Sequence, residues 1–227
     1  MTGKATEKQG EYMKFIMAYS GGKDCTLALD RMISRGREPV CLFTTVTRKQ
    51  LNFKHGIRHE VFAQYEKCLN IPVASCYGDM IHEEKTIYES LRNIIADTGA
   101  TALCTGDIYR ADVYEWNRKM ADALGIELVT PLWNEQPEAL MEELLDKGYE
   151  CRIKVVKTDR LPKELLGRAI DRDFVNTYRN RIDICGEDGE YHSIALDGPI
   201  FHQPVNIRFG EVLCWDNIAM IDVTANI

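Results

Sequence analysis

Lys14-Phe15-Ile16-Met17-Ala18-Tyr19-Ser20-Gly21-Gly22-Lys23-Asp24-Cys25 passes from an apolar, β-rich run through a glycine turn into the start of a helix. The helix is marked by Leu27, Ala28, Leu29, Met32 and Ile33 on one stripe and by a stop at Gly36. In open α/β sheets, ligands bind at the carboxyl ends of strands, where such a turn lies. Gly21 and Gly22 let the backbone approach an anion, and the successive N–H groups and the helix N-terminus supply positive potential. Lys23 adds a full charge, so Tyr19 to Cys25 reads as a phosphate cradle. Lys23 beside Asp24 suits a polyphosphate carrying Mg²⁺, with Asp24 the expected protein ligand to the metal. A Walker A loop would need glycine where Met17 stands and a hydroxyl residue where Asp24 stands, so simple kinase or GTPase chemistry is not indicated.

Outward from this turn the strand-then-helix unit repeats. Val40 to Thr47 reads as a strand, followed by helical spacing of Ile57, Val61, Phe62, Tyr65 and Leu69 and a stop at Asn70-Ile71-Pro72. Val73 to Tyr77, Ala102 to Thr105 and Leu128 to Thr130 continue the strands; Ile87 to Ile95 and Val113 to Leu124 continue the helices. The rhythm predicts an α/β fold with a doubly wound parallel sheet. Beyond Pro131-Leu132-Trp133 it changes to helices near 137–147, 162–169 and 171–180, then to strands near 192–196, 205–209, 211–215 and 218–223. Those strands are too closely spaced for crossover helices and are expected to be antiparallel. A division follows into residues 1–133 and a smaller α+β domain, 134–227, with a shared cleft.

The bulk properties narrow the class. Apolar residues make up 45% and charged residues 28%, as in an ordinary globular chain. No apolar run approaches the ~20 residues that span a bilayer, so membrane insertion is excluded. Residues 1–11 are polar, unlike a secretory signal, and read as a frayed leader; a cytoplasmic address is expected. The eight cysteines are scattered without a C-x-x-C pair, the pattern of reduced core thiols rather than of disulfides or a zinc site. A net charge of −7 gives no basic footprint for nucleic acid.

Ser20-Gly21-Gly22-Lys23-Asp24-Cys25 resembles the S-G-G-x-D-S loop of the PP-loop ATP pyrophosphatases, which grips the pyrophosphate of ATP as the α-phosphorus is attacked and splits ATP to AMP and pyrophosphate. Cys25 is a departure, a weak thiol donor in place of a hydroxyl. Further along stand His55-Gly56-Ile57-Arg58, Gly106-Asp107-Ile108, Pro131-Leu132-Trp133, Leu166-Gly167-Arg168, Gly186-Glu187-Asp188-Gly189-Glu190-Tyr191-His192-Ser193 and Asp197-Gly198-Pro199-Ile200-Phe201. In that order, over residues 14–201, they look like the diphthine–ammonia ligase family. The resemblance implies a Rossmann-like nucleotide domain of the PP-loop type, a smaller acceptor-binding domain, ATP and Mg²⁺ as cofactors, and amidation of a carboxylate by ammonia after adenylation. Members similar to the diphthamide enzymes carry E-G-G-E-Y-E-T where this chain has E-D-G-E-Y-H-S, which places it in a divergent, mostly bacterial branch. Members of that branch have been linked to corrinoid salvage. The acceptor is thus open between diphthine on a protein and another carboxylate, and a homodimer is left open as well.

Within this resemblance, the roles follow from position. Ser20 to Cys25 serve the pyrophosphate. Thr45, in the Thr44–Thr47 end of the second strand, lies where adenine is expected, and Gly106 and Asp107 end the fourth strand across the switch point. Asp107 has an equal reading as a helix cap. Glu187, Glu190 and His192, in a glycine-rich segment, are expected to face the cleft and handle ammonia or the acceptor. That segment, far along the chain from the phosphate loop, is expected to set acceptor identity rather than nucleotide affinity. Lys23 and Asp24 are expected in an exposed turn, their removal sparing the fold. Two other functions compete: tRNA thiolation, which would favour paired cysteines and a basic surface, and a non-catalytic ATP or AMP sensor.

Overall fold

A computed structural model describes residues 13–46, 56–77 and 84–226. The leader, Thr47, His55 and His82 lie outside the described residues. Strands β1 (Lys14–Ala18), β2 (Glu38–Val46), β3 (Val73–Tyr77), β4 (Ala102–Cys104) and β5 (Glu127–Val129) alternate with helices α1 (Lys23–Ser34), α2 (His59–Leu69), α3 (Glu84–Thr98) and α4 (Ala111–Leu124). The strands are parallel, in the order β3-β2-β1-β4-β5, so the winding reverses between β1 and β4. This is the doubly wound sheet that the rhythm of the sequence predicts. The predicted helix stops have physical counterparts: Gly36 follows α1 in the left-handed region at φ 72°, and Asn70 closes α2 at φ 53°.

β1 is the central strand and is buried on both faces. Phe15 and Met17 point into an apolar cluster beneath α1 and α2, whereas Ile16, between them, joins Cys41, Phe43, Leu91, Leu103 and Met120 on the side of α3 and α4. A strand covered on both faces reads as a continuous apolar run, which is why Phe15-Ile16-Met17 shows no alternation.

The second half contains α5 (Pro137–Asp146), β6 (Glu150–Lys157), α6 (Arg172–Tyr178), β7 (Tyr191–Asp197), β8 (Ile207–Trp215) and β9 (Ile218–Ala225). Its four strands form an antiparallel sheet in the order β7-β6-β9-β8. Three expectations need correction. β6 was not foreseen, the helix expected over 162–169 shrinks to a 3₁₀ turn at Lys163–Leu165, and the strands expected at 205–209 and 211–215 are one strand with an irregularity between Phe209 and Val212. β6 hides its character because charged residues interrupt its apolar ones, and Lys154 among them is fully buried, its Nζ donating to the Ile221 carbonyl at 2.9 Å.

This sheet lies against the α1 and α2 side of the first. The cluster holding Phe15 and Met17 continues through Ile153, Val156, Ile194 and Val223 of the second sheet. Polar links reinforce it: Arg58 pairs with Asp222 at 2.8 Å, and the Tyr65 hydroxyl donates to the Gly21 carbonyl at 3.1 Å and the Ala195 carbonyl at 2.8 Å. Among the described residues, no helix is long and apolar enough to cross a membrane.

Candidate active site

The turn after β1 is shaped by contacts that leave little choice of residue. Gly21 has φ +79°, and a β-carbon there would sit 2.9 Å from Ile57 Cδ1 and 3.0 Å from the Tyr65 ring. Tyr19 is buried behind the loop, its hydroxyl 3.0 Å from Thr26 Oγ1. Thr26 in turn bonds the Gly22 carbonyl from Oγ1 at 2.8 Å and from its backbone N–H at 3.2 Å, which anchors the first turn of α1. Cys25 is buried, donates to the Gly22 carbonyl at 3.1 Å, and lies 3.4 Å from Ser20 Oγ, so burial pushes its thiol pKa up. Across the switch point Gly106 runs against this turn so closely that a β-carbon would meet Cys25 N at 2.7 Å.

Lys23 departs from the expectation of an exposed turn. It is 2% exposed; its ammonium holds both oxygens of Asp24, at 2.7 and 2.9 Å, donates to the Cys185 carbonyl, and lies 5.2 Å from the centre of the Tyr191 ring. Burial opposes its charge, but Asp24 and its neighbours more than offset this, and the pKa is held well above the usual lysine value. Burial pushes the Asp24 carboxyl up, with Lys23 drawing it partly back.

The loop faces a cleft of about 770 Å³, the size range of small-molecule sites. Tyr19, Ser20, Gly22 to Cys25, Thr45, Gly106 and Asp107 line it, as do Glu187 from the loop before β7 and His192 from β7. The segment 187–193 is therefore distant from the phosphate loop only along the chain. Ser193 Oγ accepts from the backbone N–H of Lys23 at 3.1 Å, and the Ala195 N–H donates to the Gly21 carbonyl at 2.8 Å. That corrects the basis for separating acceptor identity from nucleotide affinity, because β7 packs directly on the turn.

Asp107 accepts from Thr105 Oγ1 and from Asn117 Nδ2, each at 2.7 Å, and no side-chain cap holds the start of α4, so its role as a helix cap is not realised. Burial raises its pKa against the pull of those two bonds. The Glu187 carboxyl is pushed up to about 7, first by burial and then by the charge of Asp24. Glu190 stands apart from the cleft: it is 5% exposed, one oxygen accepts from the Asp183 N–H at 3.1 Å, and the residue faces inward behind the loop.

Residues not assigned from sequence also line the cleft: Arg110, Trp116, Asn117, Lys157, Ser193 and Trp215. Asn117 carried a signal, a polar side chain on the apolar stripe of α4 between Val113 and Met120. Trp133 stacks on Tyr114 instead, with ring centres 4.4 Å apart. Of the eight cysteines seven are buried and Cys214 is exposed; Cys25 and Cys185 line the cleft. Among the described residues no three His, Cys, Asp or Glu side chains gather as a metal cage. The donor set instead fits Mg²⁺, which is commonly held by one or two carboxylates and the substrate's phosphates; Asp24, Asp107, Glu187 and Asp188 are the carboxylate residues lining the cleft.

A parallel sheet of this order, with a glycine-lysine-aspartate turn at its switch point, defines a Rossmann-like α/β protein of the PP-loop type. Residues 13–128 match the family model of the diphthamide synthase N-terminal domain, and residues 136–225 match that of its C-terminal domain. The chain belongs to the diphthamide synthase family. It is similar to the diphthine–ammonia ligase of Schizosaccharomyces pombe, 24% identical over 226 residues covering 88% of this chain and 37% of that one. It is also similar to the diphthine–ammonia ligase of Homo sapiens, 21% identical over 232 residues covering 88% of this chain and 85% of that one. The chain thus spans little more than a third of the length of the yeast relative. A solved structure described as a "predicted subunit of tRNA methyltransferase" from Methanocaldococcus jannaschii aligns at a TM-score of 0.41 and 17% identity, covering 79% of this chain and 95% of that one.

Proposed function

We propose that the chain is an AMP-forming amidoligase, similar in activity to the diphthine–ammonia ligases, that adenylates an acceptor carboxylate for attack by ammonia. The observation that supports this most is the sharing of one cleft by Lys23 and Asp24 of the phosphate turn, Glu187 of the loop before β7 and His192 of β7. Residues 1–133 would hold the nucleotide, with adenine near Thr45, and residues 134–227 the acceptor. A carboxylate is inert to ammonia because oxide is a poor leaving group. In the proposed first step its oxygen attacks the α-phosphorus and the bond to the β-phosphate oxygen breaks, releasing pyrophosphate. Ammonia then attacks the acyl carbon, AMP leaves, and a base takes the surplus proton. Mg²⁺ bound with ATP would offset charge on the leaving pyrophosphate, with Asp24 its protein contact.

Each role has a physical basis in the cleft. Backbone N–H groups of the turn and the ammonium of Lys23 are oriented before charge develops, which is where electrostatic stabilisation is strongest. Glu187, with a carboxyl brought to about 7, exchanges a proton readily near neutrality and suits the base. Enclosure of the acyl adenylate between the sheets would limit its hydrolysis.

The test is amide formation from MgATP, ammonium chloride and candidate acceptors, beginning with a diphthine-bearing protein. Incorporation of labelled ammonia into an acceptor supports the reading; ATP binding with no amide formed across the panel favours a nucleotide sensor. His192 stands where diphthamide-type members have glutamate, and a neutral or cationic imidazole suits a trimethylammonium acceptor less well than a fixed anion. His192→Glu should therefore amidate diphthine faster than the wild type, and an unchanged or slower rate would contradict this assignment.

A further inference from the structure

The loop from Asp183 to Glu190 forms a wall of the cleft beside the phosphate turn, and its shape is set by two carboxylates that do not line the cleft. Asp183 Oδ1 accepts from the backbone N–H of Cys185 at 2.6 Å and of Gly186 at 3.0 Å. The N–H of Asp183 itself donates to Glu190 at 3.1 Å, so the loop is tied at both ends. A turn closed in this way fixes its intervening peptide groups. One of them, the Cys185 carbonyl, is thereby held on the ammonium of Lys23.

The turn uses only one oxygen of Asp183. The other, Oδ2, accepts from the hydroxyl of Tyr109. Tyr109 belongs to the connection between β4 and α4 that carries Gly106 and Asp107, and the next residue, Arg110, donates from Nη1 to the Glu187 carbonyl at 3.3 Å. The connection after β4 is thus joined to the loop bearing Glu187 at two points, beside the link from Lys23 to the Cys185 carbonyl, and the hydroxyl-to-carboxylate bond is the one made between two side chains.

We propose that Tyr109 and Asp183 are positioning residues, whose hydrogen bond registers Lys23, at the start of α1, against Glu187, in the loop that precedes β7. The inference rests on the AMP-forming reading, in which groups from both sheets must meet one reacting centre. Neither side chain lines the cleft, so neither contributes to holding ATP directly. Their effect falls on alignment, where a displacement of about 1 Å can cost about a hundredfold in rate.

Tyr109→Phe removes the hydroxyl, and Asp183→Asn keeps an oxygen for the turn while replacing the charged acceptor. The experiment compares both variants and their double with the wild type: affinity for MgATP by calorimetry, and release of AMP and pyrophosphate with ammonium chloride and the diphthine-bearing protein. Each single variant should bind MgATP within about twofold of wild type and release AMP about tenfold more slowly, the double being no slower than the slower single. Wild-type rates in both singles, losses that multiply in the double, or a weakened MgATP affinity that accounts for the loss would overturn the inference. A wild type that binds MgATP but releases no AMP with the diphthine-bearing protein or any other carboxylate acceptor of the panel would instead overturn the functional reading, and this inference with it.

Discussion

Lys23 has its ammonium shared between Asp24, the Cys185 carbonyl and the Tyr191 ring, so replacing it does more than remove a charge from a loop. Lys23→Met should abolish ATP turnover and also destabilise the fold by about 1–3 kcal/mol, because Asp24 and a buried carbonyl lose their partner. Turnover and thermal denaturation read the two effects separately; full stability with full loss of turnover would mean that the network carries no structural weight. Glu187 gives the pH prediction. If its carboxylate is the base, amide formation should rise with pH through about 7 and that limb should vanish in Glu187→Gln. Stability follows the same shift with its own sign: the folded carboxyl sits above its ordinary 4.5, so its contribution is complete below that value and is lost as pH rises through about 7. Glu187→Gln should accordingly gain stability relative to wild type between pH 5 and 8. A constant difference across that range would remove the shift from the account.

Elements place these residues, and two of them meet at Gly106. A β-carbon there would meet the backbone of Asp24 and Cys25, at 2.8 Å and 2.7 Å, which cannot turn aside as a side chain can. Gly106→Ala should push β4 from the start of α1, weaken MgATP binding at least about tenfold and cost roughly 1–3 kcal/mol; unaltered binding would show that the connection tolerates displacement. The parallel sheet was legible because its strands and helices differ in period and because Gly36 and Asn70 punctuate them. β6 was not, since Arg152 and Lys154 look like solvent-facing residues while Lys154 is buried by the Ile221 carbonyl and α2 side of the sheet. The phosphate turn announced itself through local glycine chemistry. The inward turn of Glu190, and the contact of Ser193 with Lys23 across 170 residues, depend on tertiary packing that no local pattern encodes.

At the scale of the whole molecule, one apolar cluster runs from β1 to β9, and polar contacts from Ser193, Ala195 and Cys185 reach the phosphate turn itself. The second sheet is therefore part of the surroundings of the phosphate turn. The turn lacks the Walker arrangement that delivers a γ-phosphate, and in the proposed reaction it holds a pyrophosphate group as a unit while the α-phosphorus reacts. The most direct measurement is separation of the nucleotide products, with pyrophosphate assayed alongside, after incubation of the protein with α-labelled MgATP, ammonium and an acceptor bearing a free carboxylate. The account predicts AMP and pyrophosphate in equal amounts, matched by amide; ADP and inorganic phosphate as the main products would contradict it.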